Sequence, residues 1–226
     1  MLALLACDDT QGLIRQFQRK HSRVYVFAGA VRDVLTWQEH GGEACLPRDL
    51  DVGVSGLPKV DFDRIMTEAG AVPNRFGGYR VRLHNTPAWD VWRLEDTIGL
   101  KLTGTRFSLE NVLRSFVLDC NAIAFDIDTG EFLHLGGLKS IRQKRVDIAR
   151  DAIFHSRATF AAKAVMLELK HALSLSPGLR IFVKHHLERN TLLHEARKSF
   201  SSEELPTQLL MLRVLNGARR LNHSDR

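Results

Sequence analysis

The chain is short of the residues that disulfide-built and membrane-spanning proteins depend on. It has three cysteines in 226 residues, Cys7, Cys45 and Cys120. Their number is odd, and they show neither a CxxC pair nor a Cys/His spacing. This excludes a disulfide framework and a zinc module, and reduced thiols in a cytoplasmic protein are the expectation. Long apolar runs are also missing: no segment approaches the roughly 18 uncharged residues that a membrane span requires. The opening Met1–Cys7 stretch looks like a lipoprotein cleavage box, but it has no basic region and is too short for a signal segment, so it reads as packing on the core. Tyrosine is nearly absent, with only Tyr25 and Tyr79, and there is no repeat or low-complexity tract.

The apolar fraction of 44% suffices for a folded core. The length allows one large domain, or a domain with an appendage. A net charge of +6 favours a polyanionic partner such as a nucleotide, an oligonucleotide or RNA.

Periodicity sets out the elements. A helical pattern over 10–20 precedes a strand at Arg23–Phe27, then a helix at Ala30–Trp37 and a loop from Gln38 to Pro47. After the strand containing Asp49 and Asp51 come a helix at Asp61–Ala69 and two meander strands, Tyr79–Leu83 and Ala88–Arg93. A short helix at Phe107–Arg114, capped by Thr105 or Ser108, leads to a Cys120–Ile127 strand and its hairpin partner Glu131–Leu135. Beyond about Asp147 the pattern is helical: Ile148–Leu173, a break at Pro177-Gly178, then Gly178–His186, Leu192–Ser199 and Glu203–Leu221. The expectation is an α+β protein: residues 1–147 form a mixed sheet with helices on one side, and residues 148–226 form a helical appendage.

The most informative segment is Arg48-Asp-Leu-Asp-Val-Gly-Val54. On a strand, Asp49 and Asp51 point to the same face. Two carboxylates on one rigid face suit Mg²⁺, with Mn²⁺ as the alternative, since such ions take oxygen ligands and bridge carboxylates to substrate phosphates. A lone Asp-x-Asp also describes many solvated strand ends. Fifteen residues upstream, however, Ala28-Gly-Ala-Val-Arg-Asp33 places a glycine between a strand and a helix. That is a phosphate cradle, with backbone N–H groups and a helix N-terminus facing the anion. Gly29, with the small Ala28, lets backbone approach a triphosphate closely.

Together these motifs resemble the head domain shared by class II tRNA nucleotidyltransferases (CCA-adding enzymes) and bacterial poly(A) polymerases of the DNA polymerase β superfamily. The family pattern is Gly-Gly-x-Val-Arg-Asp followed by Arg-Asp-x-Asp, with Ala28 here in place of the first glycine. Asn121-Ala-Ile-Ala-Phe-Asp126, Thr129-Gly-Glu-Phe132 and Gly136-Gly-Leu-Lys139 resemble three further family motifs in order. Arg157-Ala-Thr-Phe-Ala-Ala-Lys163 is similar to the start of its neck helix. The resemblance covers about residues 22–165 and implies a polymerase β-like nucleotidyltransferase head followed by a short helical neck. It makes Asp49 and Asp51, with Asp90 as the third carboxylate, the metal-binding catalytic set. It further implies that Arg32 contacts phosphate or ribose, that Asp33 orients Arg32 or selects at the sugar, that Arg93 and Asn121 contact phosphate, sugar or base, and that Arg157 reads the base at the neck entrance.

The departures bear on substrate. The family's Arg-Arg-Asp-Phe-Thr-Ile-Asn is replaced by Ser115-Phe-Val-Leu-Asp-Cys-Asn121, with Arg114 just outside, and the neck run becomes Asp151-Ala-Ile-Phe-His-Ser-Arg157. The expected reaction is template-independent transfer of NMP or dNMP from a triphosphate to an acceptor hydroxyl. The favoured acceptor chemistry is a short oligonucleotide made by a stand-alone bacterial enzyme, resembling the nucleotidyltransferases of antiphage pairs such as Hailong. An effector protein is then an expected partner, and a tyrosine such as Tyr79 a candidate primer. A tRNA 3′ end is the alternative acceptor. A nucleotidylating toxin and a non-catalytic nucleotide or RNA sensor are the remaining readings. A basic run, Lys139, Arg142, Lys144 and Arg145, is a candidate flank for a single strand.

Overall fold

The computed structural model describes residues 5–41, 47–84, 86–149 and 157–199. It divides into two compact units, Met1–Gln143 with Ala149–Ala152, and Lys144–Ile148 with the chain from Ile153 onward. Cys45, residues 151–156 and the expected helix Glu203–Leu221 lie outside the described residues.

The first unit is built on a seven-stranded sheet ordered β3-β4-β5-β2-β1-β6-β7. Its strands are β1 (Arg23–Phe27), β2 (Asp49–Ser55), β3 (Val72–Pro73), β4 (Tyr79–Val81), β5 (Ala88–Arg93), β6 (Ile123–Asp126) and β7 (Phe132–His134). Only β2 and β5 run parallel; the other pairs are antiparallel. A parallel neighbour requires a crossover, and α3 (Lys59–Glu68) with the β3–β4 hairpin supplies it.

Alternation along the strands separates two apolar clusters. Val24, Val26, Leu50, Val52, Trp89 and Val91 face α1 (Asp8–Gln18), α2 (Ala28–His40) and α3 through Phe17, Val31, Phe62 and Met66. On the reverse face Tyr25, Phe27 and Ala124 meet Leu94 and two short helices, α4 (Ile98–Thr103) and α5 (Leu109–Arg114), through Leu100, Val112 and Leu113. Helices therefore cover part of both faces, a correction to the one-sided layout expected. Six residues containing Gly99 are too short for α4 to show a helical period. Ser108 caps α5, its Oγ accepting from Asn111 N at 3.1 Å. The strand expected from Cys120 begins at Ile123, because Asp119–Asn121 form a 3₁₀ turn.

Gly53 is fixed by this second cluster. A Cβ there would lie 2.2 Å from Leu94 Cδ2 and 2.6 Å from Phe27 Cε2, both side chains being fully buried. Gly53→Ala is expected to cost about 2 kcal/mol through overpacking, read as a lowered urea midpoint at unchanged slope. An unchanged midpoint would mean that the Phe27 layer can move.

The last helix of the first unit is α6 (Gly137–Arg142); in the second unit α7 (Arg157–His171), α8 (Pro177–His186) and α9 (Arg189–Ser199) accompany a two-strand pair, β8 (Arg145–Val146) with β9 (Ser174–Leu175). Pro177 opens α8: it stands in the first turn, where no N–H is needed, and Ser176 Oγ accepts from Leu179 N at 3.1 Å. No helix among the described residues is long and apolar enough to cross a membrane.

Candidate active site

The register places one continuous row across the carboxylate-bearing face: Leu133, Ala124, Phe27, Asp51, Asp90 and Arg80, on β7, β6, β1, β2, β5 and β4. Asp51 and Asp90 are direct neighbours on the parallel pair, and Asp49, two residues back on β2, projects from the same face beside Ala88. The three aspartates expected from sequence thus share one patch at the end of the sheet. All three are half-buried.

Two arginines hold the outer carboxylates. Arg80 Nη1 donates to Asp90 Oδ2 at 3.1 Å, and Arg48 donates to Asp49 Oδ2 through Nε at 3.1 Å and Nη2 at 2.9 Å. Burial raises the Asp90 carboxyl above its ordinary value; Arg80 works against this shift and the Asp49 charge with it. Among the described residues, no group of three His, Cys, Asp or Glu is gathered closely enough to enclose a metal ion. The donors nevertheless fit Mg²⁺ in kind, being oxygen ligands on one face of the sheet whose mutual repulsion a cation would relieve. A raised carboxyl pKa means that protons compete with a cation at Asp90 up to a higher pH. Divalent affinity should therefore fall with acidification beginning above the ordinary aspartate value of 3.8, and Mn²⁺ titration by electron paramagnetic resonance at neutral and at acidic pH checks this. A pH-independent affinity would remove Asp90 from the set.

The cradle lies at the β1–α2 junction, at the same end of the sheet. Ala28, where the resembled family has glycine, adopts φ +50. This is left-handed backbone that suits glycine, and for alanine it costs about 1 kcal/mol. A Cβ on Gly29 would meet only Arg32 Nη2, at 3.8 Å, so this corner is open to an approaching group. The Arg32 side chain is 11% exposed. It donates to Asp33 Oδ1 through Nε at 2.9 Å and Nη2 at 2.6 Å, and to Asn121 Oδ1 through Nη1 at 2.6 Å. Burial alone would lower its pKa, but Asp33, with a smaller contribution from Asp51, raises it overall. Arg32, Asp33 and Asn121 are thus brought together as one polar strut. Cys120 beneath them is fully buried, and burial pushes its thiol up to about 12.

Within the first unit, other expected residues are not brought to the patch. Arg93 alternates to the face opposite Asp90 and pairs with Asp96 at 3.3 Å and Glu95 at 3.7 Å. Arg157 opens α7 in the second unit. Tyr79 lies on β4 rather than in a loop, and its hydroxyl donates to Asp63 Oδ1 at 3.1 Å on the face away from Asp90. Tyr25 is buried. Neither phenol is placed to prime a chain, which corrects that expectation. In the basic run Arg142 pairs with Glu39 at 3.0 Å and Arg145 with Asp147 at 3.9 Å. Arg80 was not visible as a site residue in sequence, because only the β4–β5 register sets it beside Asp90.

No protein-family model and no curated protein sequence matches the chain. Solved structures do. A CCA-adding enzyme with CTP is 16% identical at a TM-score of 0.68, with 98% of this chain and 54% of that one covered. The Thermotoga maritima CCA-adding enzyme complexed with tRNA is 17% identical at 0.66, with coverages of 94% and 50%. A tRNA nucleotidyltransferase complexed with a primer tRNA and an incoming ATP analog is 20% identical at 0.64, with coverages of 92% and 61%. The chain thus spans between 50% and 61% of the length of these three structures. With its mixed sheet and its carboxylates on adjacent parallel strands, the chain has the polymerase β-like nucleotidyltransferase head fold.

Proposed function

We propose that the protein is a template-independent nucleotidyltransferase that moves a nucleoside monophosphate from a triphosphate to the 3′-hydroxyl of an RNA, with release of pyrophosphate. The observation that carries this is the set of Asp49, Asp51 and Asp90 on one face beside the open Gly29 corner. Asp49 and Asp51 would hold the divalent ion, with Asp90 as third ligand. Bound there, such an ion neutralises the triphosphate and lowers the pKa of the attacking hydroxyl. The Gly29 backbone admits the phosphates at the start of α2, where N–H groups point outward. Asp90, the last carboxylate of the row on the β5 side, would help to orient the acceptor hydroxyl.

A tRNA 3′ end is the preferred acceptor, because the similar structures are described with tRNA and with CTP or an ATP analog. The test is incubation with each labelled NTP and dNTP, with Mg²⁺ or Mn²⁺, with and without a tRNA lacking its CCA end, resolved on a sequencing gel. Extension of the tRNA by C and A supports the preferred acceptor. Products from nucleotide alone would favour the short-oligonucleotide defence enzyme, and no transfer under any condition would leave a sensor.

A further inference from the structure

Between Glu68 and Asp90 the chain carries three arginines, Arg75, Arg80 and Arg82, and no acidic residue. All three are exposed, and they lie on or beside the β3–β4 hairpin. We propose that this hairpin is a binding surface for single-stranded nucleic acid, with Arg80 and Arg82 on phosphates beside the carboxylates and Arg75 with Phe76 on the strand at the turn. Its further role, carrying the acceptor strand to Asp90, rests on the proposed nucleotidyl transfer.

Alternation puts the charges on the carboxylate-bearing face. Tyr79, Val81 and Leu83 pack against the helix-side cluster, as do Trp89 and Val91 of β5. Arg80 and Arg82 alternate with them and so turn to the other face, which carries Asp49, Asp51 and Asp90. Arg80 is level with Asp90, and the same register continued by two residues sets Arg82 level with Ala88 and hence with Asp49. From Arg82 back to the turn at Gly78 is about 13 Å at about 3.3 Å per residue. In strand order β4 lies beyond β5 on one side of the carboxylates, and the β1–α2 junction with Gly29 lies beyond β2 on the other. Attacking and leaving oxygens stand roughly in line in phosphoryl transfer. A triphosphate seated at the Gly29 corner releases pyrophosphate on that side, which leaves the β4 side to the attacking strand.

The turn itself is fixed before any ligand arrives. Asn74 Oδ1 accepts from Phe76 N at 2.9 Å and from Gly78 N at 3.1 Å, and Asn74 N donates to Gly78 O at 2.8 Å. Gly78 sits so close to β5 that a Cβ there would lie 2.4 Å from Val91 O. On this turn Phe76 is 43% exposed, with the Arg75 guanidinium 4.7 Å from its ring centroid. Aromatic rings interleaved with cations suit single strands of any sequence, because every base has a face to stack and every nucleotide a phosphate. Arg80 donates to Asp90 through Nη1 with its side chain 43% exposed. A guanidinium has five donors, so one residue can hold the carboxylate and meet a phosphate.

Fluorescence anisotropy of the full-length protein with a short labelled single-stranded RNA tests the surface. Arg75→Ala with Arg82→Ala is expected to weaken binding about tenfold and to lower the salt slope by about 0.7 for each arginine that meets a phosphate. Phe76→Ala should weaken it about fivefold with the slope kept, since stacking releases no counterion. Lys139→Ala with Arg142→Ala makes the same change in net charge on the other basic run and should cost much less. An equal loss there would mean diffuse attraction and overturn the assignment, as would hairpin variants that bind like the unmodified protein at equal folded fraction. In transfer assays the hairpin variants should raise the KM for the acceptor strand. If the unmodified protein binds the RNA through the hairpin yet transfers nothing, the surface stands and the transfer reading falls. If it transfers to an acceptor that the hairpin variants use equally well, the transfer reading stands and the hairpin's role in it falls.

Discussion

Asp51→Asn should lower nucleotidyl transfer by about 10³-fold or more, roughly 4 kcal/mol in the barrier. Asp51 occupies the middle of the carboxylate row, between buried Phe27 on β1 and Asp90 on β5. The amide is isosteric and has no new volume to place, so the sheet keeps its register while one ligand charge is lost. Charge stabilisation of the triphosphate and alignment of the acceptor then fail together. Single-turnover transfer, measured at equal folded fraction by circular dichroism, reads the effect. Near-unmodified turnover would show that Asp51 is not a ligand. Asp49→Ala should behave alike, with an added local change because Arg48 loses its partner.

Arg32→Met is expected to act on the fold before it acts on any ligand. Its guanidinium donates to Asp33 and Asn121, and both the Arg32 and Asp33 side chains are 11% exposed. Removing it takes the guanidinium away from a carboxylate only 11% exposed, and breaking such a pair costs about 3–5 kcal/mol. Against a total stability of about 5–15 kcal/mol, this shows as a large fall in the urea midpoint. The double variant Arg32→Met with Asp33→Asn should recover part of the loss, because the carboxylate charge that faced the guanidinium is gone. A single variant that costs less than about 1 kcal/mol while raising the nucleotide KM would return Arg32 to the direct phosphate or ribose contact expected from sequence.

What a motif can and cannot specify shows in these same residues. The spacing of Asp49 and Asp51 made their common face legible, because a strand has a period of two whatever surrounds it. Gly29 was legible as a junction for a similar local reason. Arg32 was recognised as important, but its partner Asn121 is separated from it by most of the first unit, and only the β1–β6 pairing brings the 119–121 turn onto α2. Arg80 and Arg93 show the same limit in opposite directions. Arg93 lies three residues from Asp90 but alternates to the other face, whereas Arg80, on the preceding strand, is set directly beside Asp90 by the β4–β5 register. Ala28 gave no sign of its left-handed backbone beyond the glycine that the family pattern places there. The two-sided helical cover was hidden because α4 and α5 are each six residues long, too short for an amphipathic stripe to show.

The one parallel pairing in the sheet governs when the site can exist. Asp51 and Asp90 are about forty residues apart along the chain, and their adjacency depends on the completed crossover through α3 and the β3–β4 hairpin. Hairpin contacts such as β6 with β7 close small loops, whereas this pairing closes a large one and belongs to the slower, non-local part of assembly. A partly folded chain therefore presents separated carboxylates with no shared face, and divalent affinity becomes a property of the finished molecule. A cation that binds only this state adds its binding free energy to the stability of the native fold alone. The carboxylate patch would thus report on the crossover itself: a chain that stalls before it presents no shared face to a cation.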